Sequence, residues 1–220
     1  AHAVRYFTEA REREIQMSRL SEQLAGARFS ALQAQLNPHF LFNTLNTIAV
    51  RARDGHGPGT VRMVEQLSDV LRRTLNRHRA NEVTLQDELD LVGQYLAIEQ
   101  ARFPDRLRPW FEVEPAARPA AVPSFALQHL VENAIRHGIA RRPGAGVLRI
   151  RARRAGDSLE VSVQDDGVGF DGGAEPPKGH GIENTRERLR VLYGSRASLS
   201  FARADGGGTI AILRVPGREM

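Results

Sequence analysis

From Met17 onward, apolar residues recur every three or four positions: Met17, Leu20, Leu24, Ala27, Ala31, Ala34, Pro38, Leu41, Leu45 and Ile48. That period predicts a heptad seam on a long helix that pairs with other helices. The stretch Arg53–Gly59, "RDGHGPG", interrupts it with glycines and a proline and reads as a loop. A second helix is expected over Thr60–Arg77, with Val64, Leu67, Leu71 and Leu75 as its stripe. Two such helices make a hairpin that cannot bury both faces alone, so the pattern predicts a homodimer built on a four-helix bundle.

Beyond residue 80 the period changes. "VTLQDELDLVGQYLAIEQAR" reads as a helix with Thr84 as N-cap and Asp87 three residues on. "VPSFALQHLVENAIRHGI" reads as an apolar helix started by Pro123, and "GIENTRERLRVLYG" as a helix ended by Gly194. "LRPWFEVEP", "GVLRIRARRAG", "SLEVSVQDDG" and "ASLSFARADGGGTIAILRVP" alternate with period two and read as strands, the middle pair joined through Gly156 and Asp157. Helices on one face of a mostly antiparallel sheet give an α+β second part. The expected division is 1–80 for a dimerisation domain and 81–220 for the α+β domain, with the boundary between Arg77 and Thr84.

Composition narrows the class. The chain has 220 residues, 41% hydrophobic and 26% charged, which is globular rather than disordered. It lacks cysteine, which removes disulfides and thiolate metal sites and fits a cytoplasmic protein. The net charge is +5, but the arginines are scattered without a dense basic run, so no direct nucleic-acid partner is expected. No apolar run reaches the roughly 20 residues of a membrane span. The first residue is not Met, so an excised or processed chain is expected, with an upstream sensor region that could carry a membrane anchor.

Four stretches bear on chemistry. In "LVENAIRHG", Glu132, Asn133, Arg136 and His137 cluster on one side of a helix whose other side is apolar. An Asn carboxamide is a fitting oxygen ligand for Mg²⁺, and arginine meets phosphate oxygens. An ordinary amphipathic helix fits the stretch equally well. In "VQDDGVGF", Asp165 ends a strand and Gly167 and Gly169 follow. A carboxylate there can accept a hydrogen bond from an exocyclic amine such as adenine's, and glycines let backbone approach a flat base; a solvated Asp-Gly turn is the alternative. In "KGHGIENTRERL", Gly179 and Gly181 precede a helix start, where free N–H groups favour phosphate. The Gly/Pro-rich stretch before it suits a lid. "GGGT" puts the Thr209 hydroxyl at a strand start or in a simple hairpin turn. His129, His137 and His180 lie in separate segments without ligand spacing, so no zinc site is expected.

The order of these stretches resembles the Bergerat-type ATP-binding sandwich shared by histidine kinases, gyrase and related ATPases. The resemblance implies ATP and Mg²⁺ as cofactors, with Asn133 holding Mg²⁺ and Asp165 recognising adenine. It implies that Gly167, Gly169, Gly179 and Gly181 shape pocket and lid, with Thr209 assisting near the base.

In the heptad register, Leu20 at d and Leu24 at a place Pro38 at a and His39 at the outward position b. Asn43, Asn46 and Thr47 fall on the same exposed stripe. Proline removes a backbone hydrogen bond and loosens the helix there; alternatively Asn37 caps a new helix with Pro38 in its first turn. An exposed imidazole is a nucleophile for phosphoryl transfer. "LQAQLNPHFLFNTLN", followed by "LVENAIRHG" and "DDGVGF", resembles the LytS-type sensor histidine kinases. In that family the His of Asn-Pro-His-Phe is the phosphoacceptor, here His39, and a response-regulator aspartate receives the phosphoryl group. In the larger class an acidic residue usually follows the phosphoacceptor; here it is Phe40, and Glu132 is the candidate proton acceptor. A serine kinase of the anti-sigma type and a scaffold with a decayed ATP site are the rivals. Neither requires an exposed His39, and the second does not require Asn133 and Asp165.

Overall fold

A computed structural model describes residues 38–77, 80–103, 105–169 and 180–220. The seam from Met17 to Ala34, the lid stretch, Gly179 and the side chains of Pro38, His39 and His180 lie outside the described residues. The chain divides into two compact units, 1–55 and 56–220.

In the first unit, helix α1 spans Pro38–Arg53. Phe40 and Thr44 are its buried residues, whereas Leu45, expected on the seam, is 47% exposed within one chain. Thr44 tolerates burial because its hydroxyl donates to the Phe40 carbonyl at 2.8 Å.

The second unit begins with α2, Gly57–Arg77. It starts three residues earlier than the sequence suggests, because Pro58 sits in the first turn, where its missing N–H costs nothing. Its buried residues include Met63, Leu67, Val70 and Thr74; of the expected stripe Leu67 is buried and Leu71 partly so, Val64 is corrected to an exposed position, and the Leu75 side chain lies outside the described residues. Thr74 again donates to the carbonyl four residues back, Val70 at 2.8 Å, which lets a polar residue occupy the buried face.

Strand β1 (Glu82–Thr84) leads into α3 (Leu85–Arg102). Thr84 is the N-cap: its side chain accepts from the Asp87 N–H at 3.1 Å. After β2 (Leu107–Val113), β3 (Ala121–Pro123) pairs antiparallel with β1. Pro123 therefore ends a strand and does not start a helix. The helix expected there begins later, as α4, Ala126–Asn133, and continues as a π turn over Ala134–Gly138. The hairpin β4 (Gly146–Ala155) and β5 (Ser158–Asp165), helix α5 (His180–Tyr193), and strands β6 (Ser198–Arg203) and β7 (Thr209–Pro216) complete the unit.

The main sheet has the order β2-β4-β5-β7-β6, with only β2 and β4 parallel. Alternation sets its two faces. Leu148, Ile150, Leu159, Val161, Val163, Leu213 and Val215 point into the core, while Arg149, Arg151 and Glu160 stand on the other side. Helix α3 runs by β2, α4 by β5, and α5 by β6 and β7. This is the α+β sandwich the sequence predicts.

Candidate functional site

Helix α4 is positioned from outside its own sequence. Phe125 precedes it with φ of 66°, a left-handed conformation that is costly for a residue with a side chain. No side chain of α4 caps its first turn. Glu88 of α3 does so instead: its two carboxylate oxygens accept from Phe125 N–H at 2.9 Å and Leu127 N–H at 3.1 Å. Glu88 is fully buried, and its acceptor oxygens meet the positive end of the helix dipole. Its neighbour Ser124 accepts Arg188 of α5 on its carbonyl at 2.9 Å, and its hydroxyl donates to Ala80 O at 2.6 Å. The sequence reading missed Glu88. The available signal was an acid on the apolar stripe of α3, three residues from Leu85 and four from Val92. Glu88→Ala strands two buried N–H groups, and thermal unfolding should report a loss of about 3 kcal/mol, with Glu88→Gln losing less because one acceptor remains.

Asp165 closes β5 and is 2% exposed. Its Oδ1 accepts from Gly167 N–H at 2.9 Å. Burial pushes its carboxyl above the usual aspartate value; backbone donors at Gly167 and Thr209 pull against this. The surrounding glycines make the geometry possible. A Cβ on Gly138 would collide with the Asp165 carboxylate, and one on Gly167 with the Gly138 backbone. Gly167 is thus required by packing against the π turn, a role that the expectation of a flat base alone did not contain. Gly169 has φ of 70° and lies against Gly208. Thr209 is buried at the start of β7, as expected.

The second aspartate of the pair has a separate task. Asp166 accepts Val147 N–H at 2.7 Å and pairs with Arg142 at 2.9 Å, tying the loop after the π turn to the end of β5. The fold therefore brings the π turn that follows α4 against Asp165 and Gly167, with the Thr209 N–H on the same carboxylate; Asn133, partly buried, ends the helix before that turn. Arg136 is exposed. His137 is partly buried, and burial together with Arg141 and Arg136 holds its pKa below the usual imidazole value, so it is neutral at pH 7. Ile135, expected in the core, is only partly buried, since the widened π turn rotates it off the α4 face. Gly181 sits in the first turn of α5, against the His129 ring.

Glu132 lies beside this cluster. Gln128 Nε2 donates to its Oε1 at 2.8 Å. Tyr95 is held well above the usual phenol pKa by burial, then by the charges of Glu132 and Glu99. Among the described residues, no group of three or more His, Cys, Asp or Glu gathers as a metal site. The donor suited to Mg²⁺ is the Asn133 carboxamide, which fits a hydrated ion that takes few protein ligands.

Residues 27–107 match the family described as Histidine kinase. Residues 123–219 match the family described as Histidine kinase-, DNA gyrase B-, and HSP90-like ATPase. The chain is 36% identical over 202 residues to Sensor protein LytS of Staphylococcus haemolyticus, covering 87% of this chain and 34% of that protein. It is 32% identical over 222 residues to Sensor histidine kinase YesM of Bacillus subtilis, covering 98% and 38%. It is 37% identical over 205 residues to Sensor histidine kinase BtsS of Escherichia coli, covering 93% and 36%. The chain thus spans 34–38% of the length of these relatives. With the two family matches in sequence and together spanning most of its length, the chain belongs to the histidine kinase family.

Proposed function

We propose that this chain is the catalytic core of a two-component sensor, transferring the γ-phosphoryl group of ATP to His39 and from there to an aspartate of a response regulator. The observation that carries the reading is Asp165: a buried carboxylate at a strand end, oriented by Gly167, beside the helix that bears Asn133. A carboxylate desolvated in this way is stabilised by an incoming N–H donor, and the adenine amine is one. Asn133 would hold Mg²⁺, which when bound neutralises phosphate charge. Arg136 supplies a cation for phosphate oxygens and His137, being neutral, adds a donor without charge. Gly169, Gly179 and Gly181 contribute backbone around the nucleotide, and Thr209 a hydroxyl near the base.

In the transfer, a neutral nitrogen of His39 forms the N–P bond as the bond from γ-phosphorus to the bridging oxygen breaks, and ADP leaves. Positioning and charge neutralisation supply most of the rate. Phe40 is 7% exposed, so the residue after His39 is a packing residue and not a proton acceptor. The acceptor therefore comes from elsewhere, and Glu132, oriented by Gln128, takes that role. Glu132→Gln should slow autophosphorylation while ATP affinity stays the same; an unchanged rate removes Glu132 from the mechanism.

The functional division places the phosphoacceptor domain at 1–80 and the ATP-binding domain at 81–220. A homodimer is supported by exposed apolar side chains on the two helices: Phe42 at 67%, Leu45 at 47%, Val50 at 50% and Val61 at 58%. The core would work in the cytoplasm beneath a sensor region; among the described residues no helix is long and apolar enough to cross a membrane. The direct test is incubation with γ-labelled ATP and Mg²⁺, followed by acid and alkali treatment. Phosphohistidine label is lost in acid and kept in alkali. Acid-stable label would instead indicate serine or threonine phosphorylation and the anti-sigma type of kinase.

A further inference from the structure

His129 has no part in the mechanism above, yet it lies half-buried on α4 one helical turn before Asn133. Burial, with Arg188 adding to it, lowers its pKa to about 4, so the ring is neutral in working conditions. Its Nδ1 lies 3.0 Å from Thr185 Oγ1. The Thr185 hydroxyl donates its one hydrogen to Gly181 O at 2.8 Å. The oxygen must then accept from His129, which fixes the ring as the Nδ1–H tautomer. The ring face also lies against Gly181: a Cβ there would sit 3.1 Å from Cδ2 and Cγ. Phe125 tilts beside it with ring centroids 6.4 Å apart. Imidazole, hydroxyl and glycine thus lock the first turn of α5 onto α4. Gly181, read from sequence as a phosphate-side glycine, is a glycine because His129 occupies the space.

We infer that His129, acting through Thr185, is a positioning residue that sets the spacing between the Asn133 helix and the first turn of α5, and so governs triphosphate affinity separately from adenosine affinity. The inference rests on the ATP reading of the site. Adenosine contacts centre on Asp165 and Thr209, whereas phosphates need the ends of α4 and α5 in register. Losing one link between those ends moves one wall of the phosphate side and leaves the base site unchanged.

Thr185→Val is near-isosteric and removes the hydroxyl; Thr185→Ser restores it. Calorimetry with ATP-Mg²⁺ and ligand-observed NMR with adenosine read the two halves of the site. Thr185→Val should weaken ATP about five- to tenfold, the scale of one buried hydrogen bond, with adenosine unchanged. Thr185→Ser should return ATP affinity to the wild-type value. His129→Leu, which fills the space without a donor, should behave as Thr185→Val. Equal loss for both ligands, an unchanged ATP affinity, or failure of the serine variant to restore it overturns the positioning role while the ATP reading stands. A wild-type protein that binds no ATP overturns the ATP reading and this inference with it.

Discussion

Asparagine at position 165 should lower ATP affinity by about a hundredfold, since a hydrogen bond to a charged group is worth about 1.5–3 kcal/mol and each 1.36 kcal/mol is a factor of ten. The wild-type carboxylate is acceptor-only, so any amine that reaches it is bound. An amide can turn its NH₂ toward the same amine and repel it. Aspartate here is raised above its ordinary pKa by burial, so the folded apo protein holds a proton to higher pH than the unfolded chain does. A carboxyl raised in this way contributes stability below its unfolded pKa and loses it as pH rises through the folded value. At pH 7 the ionised group is therefore a cost to the apo fold. Asp165→Asn removes that cost and gives up one acceptor for the Gly167 and Thr209 donors. The two effects oppose, so the melting temperature should stay near the wild-type value while calorimetry reports the lost affinity. An Asp165→Asn protein that binds ATP like wild type would place the adenine elsewhere.

The parts of the fold that were legible in sequence are those decided by local pattern. The alternation of β4, β5 and β7 was readable because one sheet face is buried and the other solvated, as Leu159, Val161 and Val163 against Glu160 and Ser162 illustrate. The Thr84 cap was readable because its partners lie three residues apart. Where distant contacts decide, the reading slipped. Nothing local to Pro123–Gly138 says that β3 pairs with β1, or that Glu88 waits 37 residues upstream to hold the Phe125 N–H. Those two contacts move the helix start from Pro123 to Ala126. The stripe of α2 slipped for a different reason. Threonine reads as polar, but Thr74 satisfies its hydroxyl on its own helix and can face inward, and the phase turns with it. The site was legible as a list of residues, of which Asp165, Gly167 and Thr209 meet, with Gly138 of the π turn closing on them. Their support was not, since Glu88, Asp166 and His129 act through space on backbone or side-chain groups that no spacing rule connects.

Replacing His39 with glutamine should abolish transfer of label from γ-labelled ATP, with ATP affinity unchanged. The two readouts separate because His39 lies in the unit 1–55, whereas Asn133, Asp165 and Thr209 lie in the unit 56–220. Glutamine is a good helix former and occupies similar space, so α1 is retained. What it lacks is a lone pair on nitrogen able to form a bond to phosphorus, because the amide nitrogen's pair is delocalised into the carbonyl. No other residue on α1 can substitute. Phe40 and Phe42 carry no nucleophilic atom, and the Thr44 and Thr47 hydroxyls donate to the Phe40 and Asn43 carbonyls at 2.8 and 2.9 Å. A low residual rate would therefore not be expected from a neighbour taking over. Acid-labile label that survives in His39→Gln would assign the phosphoryl acceptor to another of the seven histidines. Acid-stable label that survives would assign it to a hydroxyl, and the helix carrying Asn-Pro-His-Phe would then serve for assembly alone.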